Sequence, residues 1–470
     1  MSMSNFSRLL LEMSGQVVQE STVQIARATH TGDADPFGLM PTEIPLKQLD
    51  LASVIRAGDT VIWSQGPSEP LSLTQAMVEQ RHQIGRFRAF LGSSFSRTFD
   101  ASHADYIEFI GLGAVGATRK ILEAGALQVI PCHLSQLASM MRDGPLKIDV
   151  VLLQLSQNAS GSYSYGSVCS YLPDALNRAR VVIAEINDQA PWTGCSEPIE
   201  AKRIDYVVRA SRPLLDVPSR PPSTEDIAIA KNVAPLIEDG ATLQIGIGTL
   251  PDAILSELRD HRDLAIHSGV IGDGVVNLIE SGVVTNARKS IDRGISITGS
   301  LFGTSLLVRF AHDNSAIRVD PVSYTHNPAV LAQLSALVTI NSAIEIDLFG
   351  QVNSEVANGK YVGTIGGQTD FVRGTQMSER GRSIVAMSAR VSPTGLSRIV
   401  PTLSSGIVTA ARSDTDTVVT ERGVAVLKGR TVEERARLLI SIAHPDDREA
   451  LSRSWRDGLA RLGRERSAGE

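Results

Sequence analysis

His267, Ser268 and Gly269, with Gly272, Asp273 and Gly274 close behind, stand at the end of a short apolar run at 264–266. An imidazole at a strand end is a candidate general base or ligand, or a hydrogen-bonded structural residue. No nearby His or Cys completes a ligand set, so no metal is expected. Two other glycine groups share this character. Gly246 and Gly248 close the run "LQIGIG", and Pro251 suits the first turn of a following helix. Such a turn is either structural or a ligand wall whose helix N-terminus favours an anion. "YVGTIGGQTDFVRG" carries Gly363, Gly366, Gly367 and Gly374 around Asp370 and Arg373. Adjacent glycines there are able to turn backbone N–H groups toward a developing oxyanion. Cys195 in "PWTGCSEP" is a candidate nucleophile, but with no neighbouring base or cation a packed thiol is the stronger reading. "GLGAVG" at 111–116 fits GxGxxG. The acid a dinucleotide site needs about 20 residues on is missing, so a tight strand-to-helix turn is expected rather than nicotinamide binding.

These residues need a frame. Strand and helix patterns alternate from about residue 50: "DTVIWSQG" as a strand, "LSLTQAMVEQRHQI" as a helix, then "IDVVLLQLS" and "ARVVIAEIN" as strands buried on both faces. "ATRKILEAGA" has helical spacing, with Gly125 as its stop. The alternation resumes with "ATLQIGIG", "LPDAILSELRDH", "LAIHSG" and "VVNLIESG", and runs through "ISITGSL", "SALVTINSAIEID", "RSIVAMSA" and "DTVVTERGVAVL" to two closing helices. Between the halves, Pro218, Pro221 and Pro222 break regular structure, and Ser223 to Asp226 cap a helix running to about 238. The reading is an N-terminal extension (1–44), an α/β domain (45–215), a linker (216–226) and a second α/β domain (227–470), both with parallel-rich sheets. Such sheets bind ligands at the carboxyl ends of their strands, where the glycine turns fall.

Bulk properties narrow the class. With 45 Lys+Arg against 51 Asp+Glu the net charge is -6, which argues against broad nucleic-acid binding. Three unpaired-looking cysteines, Cys132, Cys169 and Cys195, favour a reducing cytoplasm. The first 20 residues lack the pattern of a secretory signal, and no apolar run reaches the length of a membrane span. The Arg-rich C-terminal helix, 448–466, is matched by acids and reads as a solvated face.

Taken together, "VIAEINDQAPWTG", "LQIGIGTLPDAIL", "HSGVIGDGVVNLIESGVVTN", "VSYTHNPAVLA", "INSAIEIDLFGQVNSE", "GTIGGQTDFVRG" and "SRIVPTLSSGIVTAARSDTDTVVTERGVAVLKG" resemble the acetyl-CoA hydrolase/transferase family over roughly residues 45 to 460. The resemblance implies two CoA-transferase-type domains, an active site in the cleft between them, a homodimer, and coenzyme A as part of an acyl-CoA substrate. Its usual mechanism is covalent: a glutamate in a His-(Ser/Thr)-Glu segment attacks the thioester and passes through a glutamyl-CoA. His267 and Ser268 match that segment, but the glutamate position reads Gly269. By the same resemblance Gly367, with Gly366, supplies the oxyanion-hole amide, and Gln65 is a second donor. Asn327 and Arg382 fall where the family contacts CoA, with Arg382 where Lys is usual.

Glycine forms no covalent intermediate, which leaves three readings. Water or a bound acceptor attacks the thioester directly in the vacated space, giving hydrolysis, acyl transfer or C–C chemistry. Alternatively another carboxylate, Glu355 or Glu185, takes over and CoA transfer persists. In the third reading the protein binds CoA esters without chemistry. The apolar stretch "TGSLFGTSLLVRF" and the tyrosines of "SGSYSYGSVCSYLP" do not define the acyl group.

Overall fold

The computed structural model describes residues 40–467, so the expected N-terminal extension lies almost wholly outside the described residues. In the first half, a strand turns at glycine into a helix and returns parallel. The strands are β1 (Thr42–Glu43), β2 (Thr60–Trp63), β3 (Phe87–Leu91), β4 (Ile107–Gly111), β5 (Leu127–Val129), β6 (Val150–Gln157), β7 (Tyr163–Ser164), β8 (Val181–Asn187) and β9 (Tyr206–Ala210). They form one sheet in the order β1-β9-β8-β6-β2-β3-β4-β5, with β7 attached to β6. Only the β6–β7 pair is antiparallel. The first seven residues of β6 are all buried, as a strand covered on both faces requires.

The second half repeats the plan with β10 (Thr242–Ile245), β11 (Ala265–Ser268), β12 (Ser296–Thr298), β13 (Ile317–Val319), β14 (Leu337–Asn341), and strands Arg382–Ala386, Thr417–Thr420 and Gly423–Val426. Its order is β13-β12-β11-β10-β14, then those three strands in turn. The last two form an antiparallel hairpin at the edge. "SALVTINSAIEID" reads as one strand but is two. Asn341 ends β14, and Glu345–Asp347 pairs in a separate three-stranded sheet.

Helix Leu71–Ile84 has the bounds that its sequence pattern suggests. The linker helix starts as expected, since the Ser223 hydroxyl accepts from Asp226 N–H and the Asp226 carboxylate accepts in return. A cap of this kind is worth about 1 kcal/mol. The helix is shorter than expected: Pro235 lacks the N–H that would continue it, and it gives way to a 3-10 turn at Ala234–Leu236. The GLGAVG run is the strand-to-helix turn anticipated for it. Gly113 has φ +143°, and a Cβ there would lie 2.5 Å from the Gly363 carbonyl oxygen of the other half. Here the two halves cross: Ala114 N–H donates to Gly363 O at 3.1 Å, and Thr364 Oγ1 donates to Leu112 O at 2.7 Å. Among the described residues no helix is long and apolar enough to cross a membrane.

Candidate active site

A cavity of about 280 Å³ lies between the halves, where β10, β11 and β14 end. The first half contributes a hydrogen-bonded wall. Gln65 follows β2; its Oε1 accepts from Ser93 N–H at 2.9 Å, and its Nε2 donates to Ser170 Oγ at 3.1 Å. One amide hydrogen of Gln65 is left over from these contacts. Phe95, in edge-to-face contact at 5.4 Å with Phe302 of the second half, closes one side.

The second half contributes backbone. Gly246 follows β10, Gly269 follows β11, and Gly367 precedes helix Gln368–Met377. All three line the cavity. The segment around Gly367 is glycine-rich for two separate reasons. Gly366 turns with φ +56°. Gly374, inside the helix, sits where a Cβ would come within 2.6 Å of the Leu331 Cβ. The paired amides of Gln244 and Asn341, with Asn341 Nδ2 donating at 3.0 Å, line the floor.

Between Gly269 and Gly367 stands a group that the sequence reading passed over, His326. A Cβ on Gly269 would lie 2.7 Å from its Cε1 and Nε2, and a Cβ on Gly367 2.4 Å from its Cδ2 and Nε2. The residue ends the short helix Val322–Thr325, and its N–H donates to Val322 O at 3.0 Å. Its ring lies 4.7 Å from that of Phe371, and its Nδ1 lies 2.8 Å from Thr325 Oγ1. It is 2% exposed, and burial pushes the imidazole down to about 3, so it is neutral at ordinary pH. Position gave no signal for it: it belongs to no long helix or strand whose period marks a buried face.

The supporting residues are as specific as the lining ones. Tyr324 Oη donates to Asp292 at 2.7 Å, Arg318 Nη2 pairs with Asp292 at 3.0 Å, and Arg318 Nε pairs with Asp320 at 2.7 Å. Beneath them Lys289, buried, donates to Ile266 O at 3.1 Å and Ile295 O at 2.8 Å. Burial pushes that ammonium down to about 8.

Several expected site residues stand elsewhere. His267 is fully buried and does not line the cavity. Its Nε2 donates to Thr325 O at 3.2 Å, so it braces the residue before His326. Burial first, and then the Lys289 charge, push it down to about 3. Gly248 begins helix Thr249–Glu257 with φ +112°, just beyond the lining. The Gly366 carbonyl accepts from Leu134 N–H at 3.2 Å, so this residue ties the halves together beside the cavity. Asn327 caps the next short helix: its Oδ1 accepts from Ala329 N–H at 2.9 Å and its Nδ2 donates to Ser323 O at 3.1 Å. Arg382 does not line the cavity. It begins its strand opposite Val338, whereas the cavity lies at the Asn341 end, about 10 Å further along the sheet. Its Nη1 donates to Leu236 O at 3.1 Å.

The two candidate replacement carboxylates are engaged outside the cavity. Glu355 Oε1 accepts from Thr409 Oγ1 at 2.7 Å. Glu185, fully buried, is paired with Arg212 and accepts from Ser72 N–H at 2.8 Å. No Asp or Glu is among the cavity's lining residues. Cys195 is half-buried, its Sγ 3.5 Å from that of Cys169, and all three cysteines are free thiols. Among the described residues no group of three His, Cys, Asp or Glu has the arrangement of a metal site.

Comparison with known proteins bears on this arrangement. The acetyl-CoA hydrolase/transferase N-terminal domain matches residues 46–216, and the C-terminal domain of the same name matches 303–455. The chain is 37% identical to the 4-hydroxybutyrate coenzyme A transferase of Clostridium kluyveri over 86% of its own length and 95% of the relative's. It is 32% identical to the succinyl-CoA:cyclohexane-1-carboxylate CoA transferase of Geobacter metallireducens, over 87% and 94%. The crystal structure of RipA from Yersinia pestis matches with a TM-score of 0.83 at 30% identity, over 89% of this chain and 98% of that one.

Proposed function

The chain belongs to the acetyl-CoA hydrolase/transferase family, and from that premise we propose that its cavity cleaves an acyl-CoA thioester by direct attack of water or a bound acceptor, without a glutamyl-CoA intermediate. One observation carries this reading. The residues lining the cavity include two glycines facing an imidazole and no carboxylate able to form an anhydride.

In this reading the thioester carbonyl points its oxygen at the Gly367 N–H, with the spare Gln65 amide hydrogen as a second donor. Charge developing on that oxygen meets donors already held in place, which is where such sites gain most of their rate. The apolar side, formed by Phe95, Phe302, Ile247 and Val270, takes the acyl group. A volume of about 280 Å³ is at the small end for ligand pockets, so it suits a short acyl group with the reacting thioester rather than the whole coenzyme. Gly246 and Gly269 let the pantetheine arm run close to the backbone. Coenzyme A enters and leaves as part of the substrate, and the reading includes a cytoplasmic homodimer.

The test is to mix the protein with acyl-CoA thioesters of increasing chain length, with and without acetate or succinate. Free thiol and CoA exchange are then followed by mass spectrometry. Thiol release that needs no carboxylate is expected, fastest for short chains. Exchange that strictly requires a carboxylate would overturn the proposal in favour of a replacement nucleophile.

A further inference from the structure

We propose that His326 is the catalytic base of this site, its imidazole filling the volume that a carboxylate side chain at position 269 would need. This rests on the direct-attack reading and adds the group that activates the attacker. The steric argument comes first. Cβ atoms at 269 and 367 would lie 2.7 Å and 2.4 Å from Nε2, distances that real side chains do not tolerate. In its present pose the ring therefore leaves no room for a side chain at 269 or 367, and it keeps that pose beside two glycines.

The second argument concerns the proton. Thr325 Oγ1 has one hydrogen, and the Pro321 carbonyl at 3.2 Å can only accept it. In the tautomer this proposal assigns, the same oxygen accepts from His326 Nδ1–H at 2.8 Å. That tautomer leaves the Nε2 lone pair free, and among the described residues the side-chain hydrogen bond of this ring is made at Nδ1. It sits on the cavity edge between the Gly269 turn and the expected oxyanion amide. Phe371 backs the ring, and His267 holds Thr325 from below.

The step balances without any outside reagent. As the water oxygen bonds to the thioester carbon, Nε2 takes one water proton and the carbonyl electrons move to oxygen. The tetrahedral species collapses with C–S cleavage, and the imidazolium returns its proton to the departing sulfur. Burial disfavours imidazolium in the empty site, but the neighbouring oxyanion supplies the opposite charge as the proton arrives.

His326→Ala is expected to lower thiol release about 100-fold or more, the usual range for loss of a general base, while CoA affinity by calorimetry is retained. Imidazole should restore part of that rate, whereas pyrazole, of the same shape but far less basic, should not. Equal rescue by both would mean that the ring is only a plug, and would overturn the assignment. An acyl group trapped on His326 would also overturn it, by making the ring a nucleophile. Should His326→Ala not fold, His326→Gln carries the same rate comparison. Gly269→Glu alone should stay without CoA exchange, and Gly269→Glu/His326→Ala should gain acetate-dependent exchange. A folded double variant without it would overturn the shared-volume claim. If wild type and His326→Ala release thiol within threefold of each other, only the base assignment fails. If wild type needs a carboxylate or releases no thiol, the functional reading fails and this inference with it.

Discussion

The two walls of the cavity are built by different means. The first-half wall is held by side-chain hydrogen bonds, with Gln65 suspended between Ser93 and Ser170. The second-half wall is bare backbone at Gly246, Gly269 and Gly367, with one ring packed against the last two. Replacing one member of a polar wall costs the hydrogen bonds it made, for Gln65 those with Ser93 and Ser170, but pushes no neighbour out of place. At Gly269 and Gly367 an added Cβ would lie 2.7 Å and 2.4 Å from the His326 ring, so in a close-packed interior the ring must move, whereas a Cβ on Gly246 would meet only Pro251 Cγ at 3.9 Å. The chemistry is therefore expected to be more fragile on the second side.

Three measurements sharpen or break that contrast. The largest effect is expected from Gly367→Ala, whose methyl group would lie 2.4 Å from the His326 ring. Because it displaces the ring beside the oxyanion amide, kcat/KM for thioester cleavage should fall about 100- to 1000-fold in steady-state assays. A loss below tenfold would mean that the second wall yields. Gln65→Leu should cost less, about tenfold in kcat, with about 1 kcal/mol of stability lost in urea titrations as Ser93 N–H loses its acceptor. A loss equal to that of Gly367→Ala would erase the distinction.

The third measurement concerns acid. His267 and His326 are both held near 3, below the ordinary 6.5, so between those values the unfolded chain binds more protons than the native one. Their contribution is complete above that window and declines as the pH falls through it. The thermal midpoint should drop between pH 7 and pH 4, and drop less in His326→Asn. An equal drop would show that the second wall does not set acid stability.

Much of this frame was legible because strands buried on two faces and capped helices leave local marks. "IDVVLLQLS", the 71–84 helix and the Ser223 cap each appear in the structure close to where their patterns put them. The glycine turns were legible as turns, and the structure brings Gly246, Gly269 and Gly367 together at one edge. Other features needed the third dimension. Arg382 has a family position in the chain, but which end of a strand faces a cavity follows from sheet register alone. His267 is a candidate base or a structural residue by its place at a strand end, and the structure buries it against Thr325 while His326 lines the cavity. His326 and Gly269 lie 57 residues apart in sequence, and no periodicity links them. Only the folded chain shows that they share a space.

That shared space makes the order of substitutions matter. Positions 269 and 326 are rival tenants of one volume, so the effect of changing either depends on what the other holds. Placing a side chain at 269 without a collision takes two changes, with the one at 326 made first. The histidine has to leave before an acid arrives, so any rebuilding of a carboxylate in this cavity starts at position 326 and not at 269.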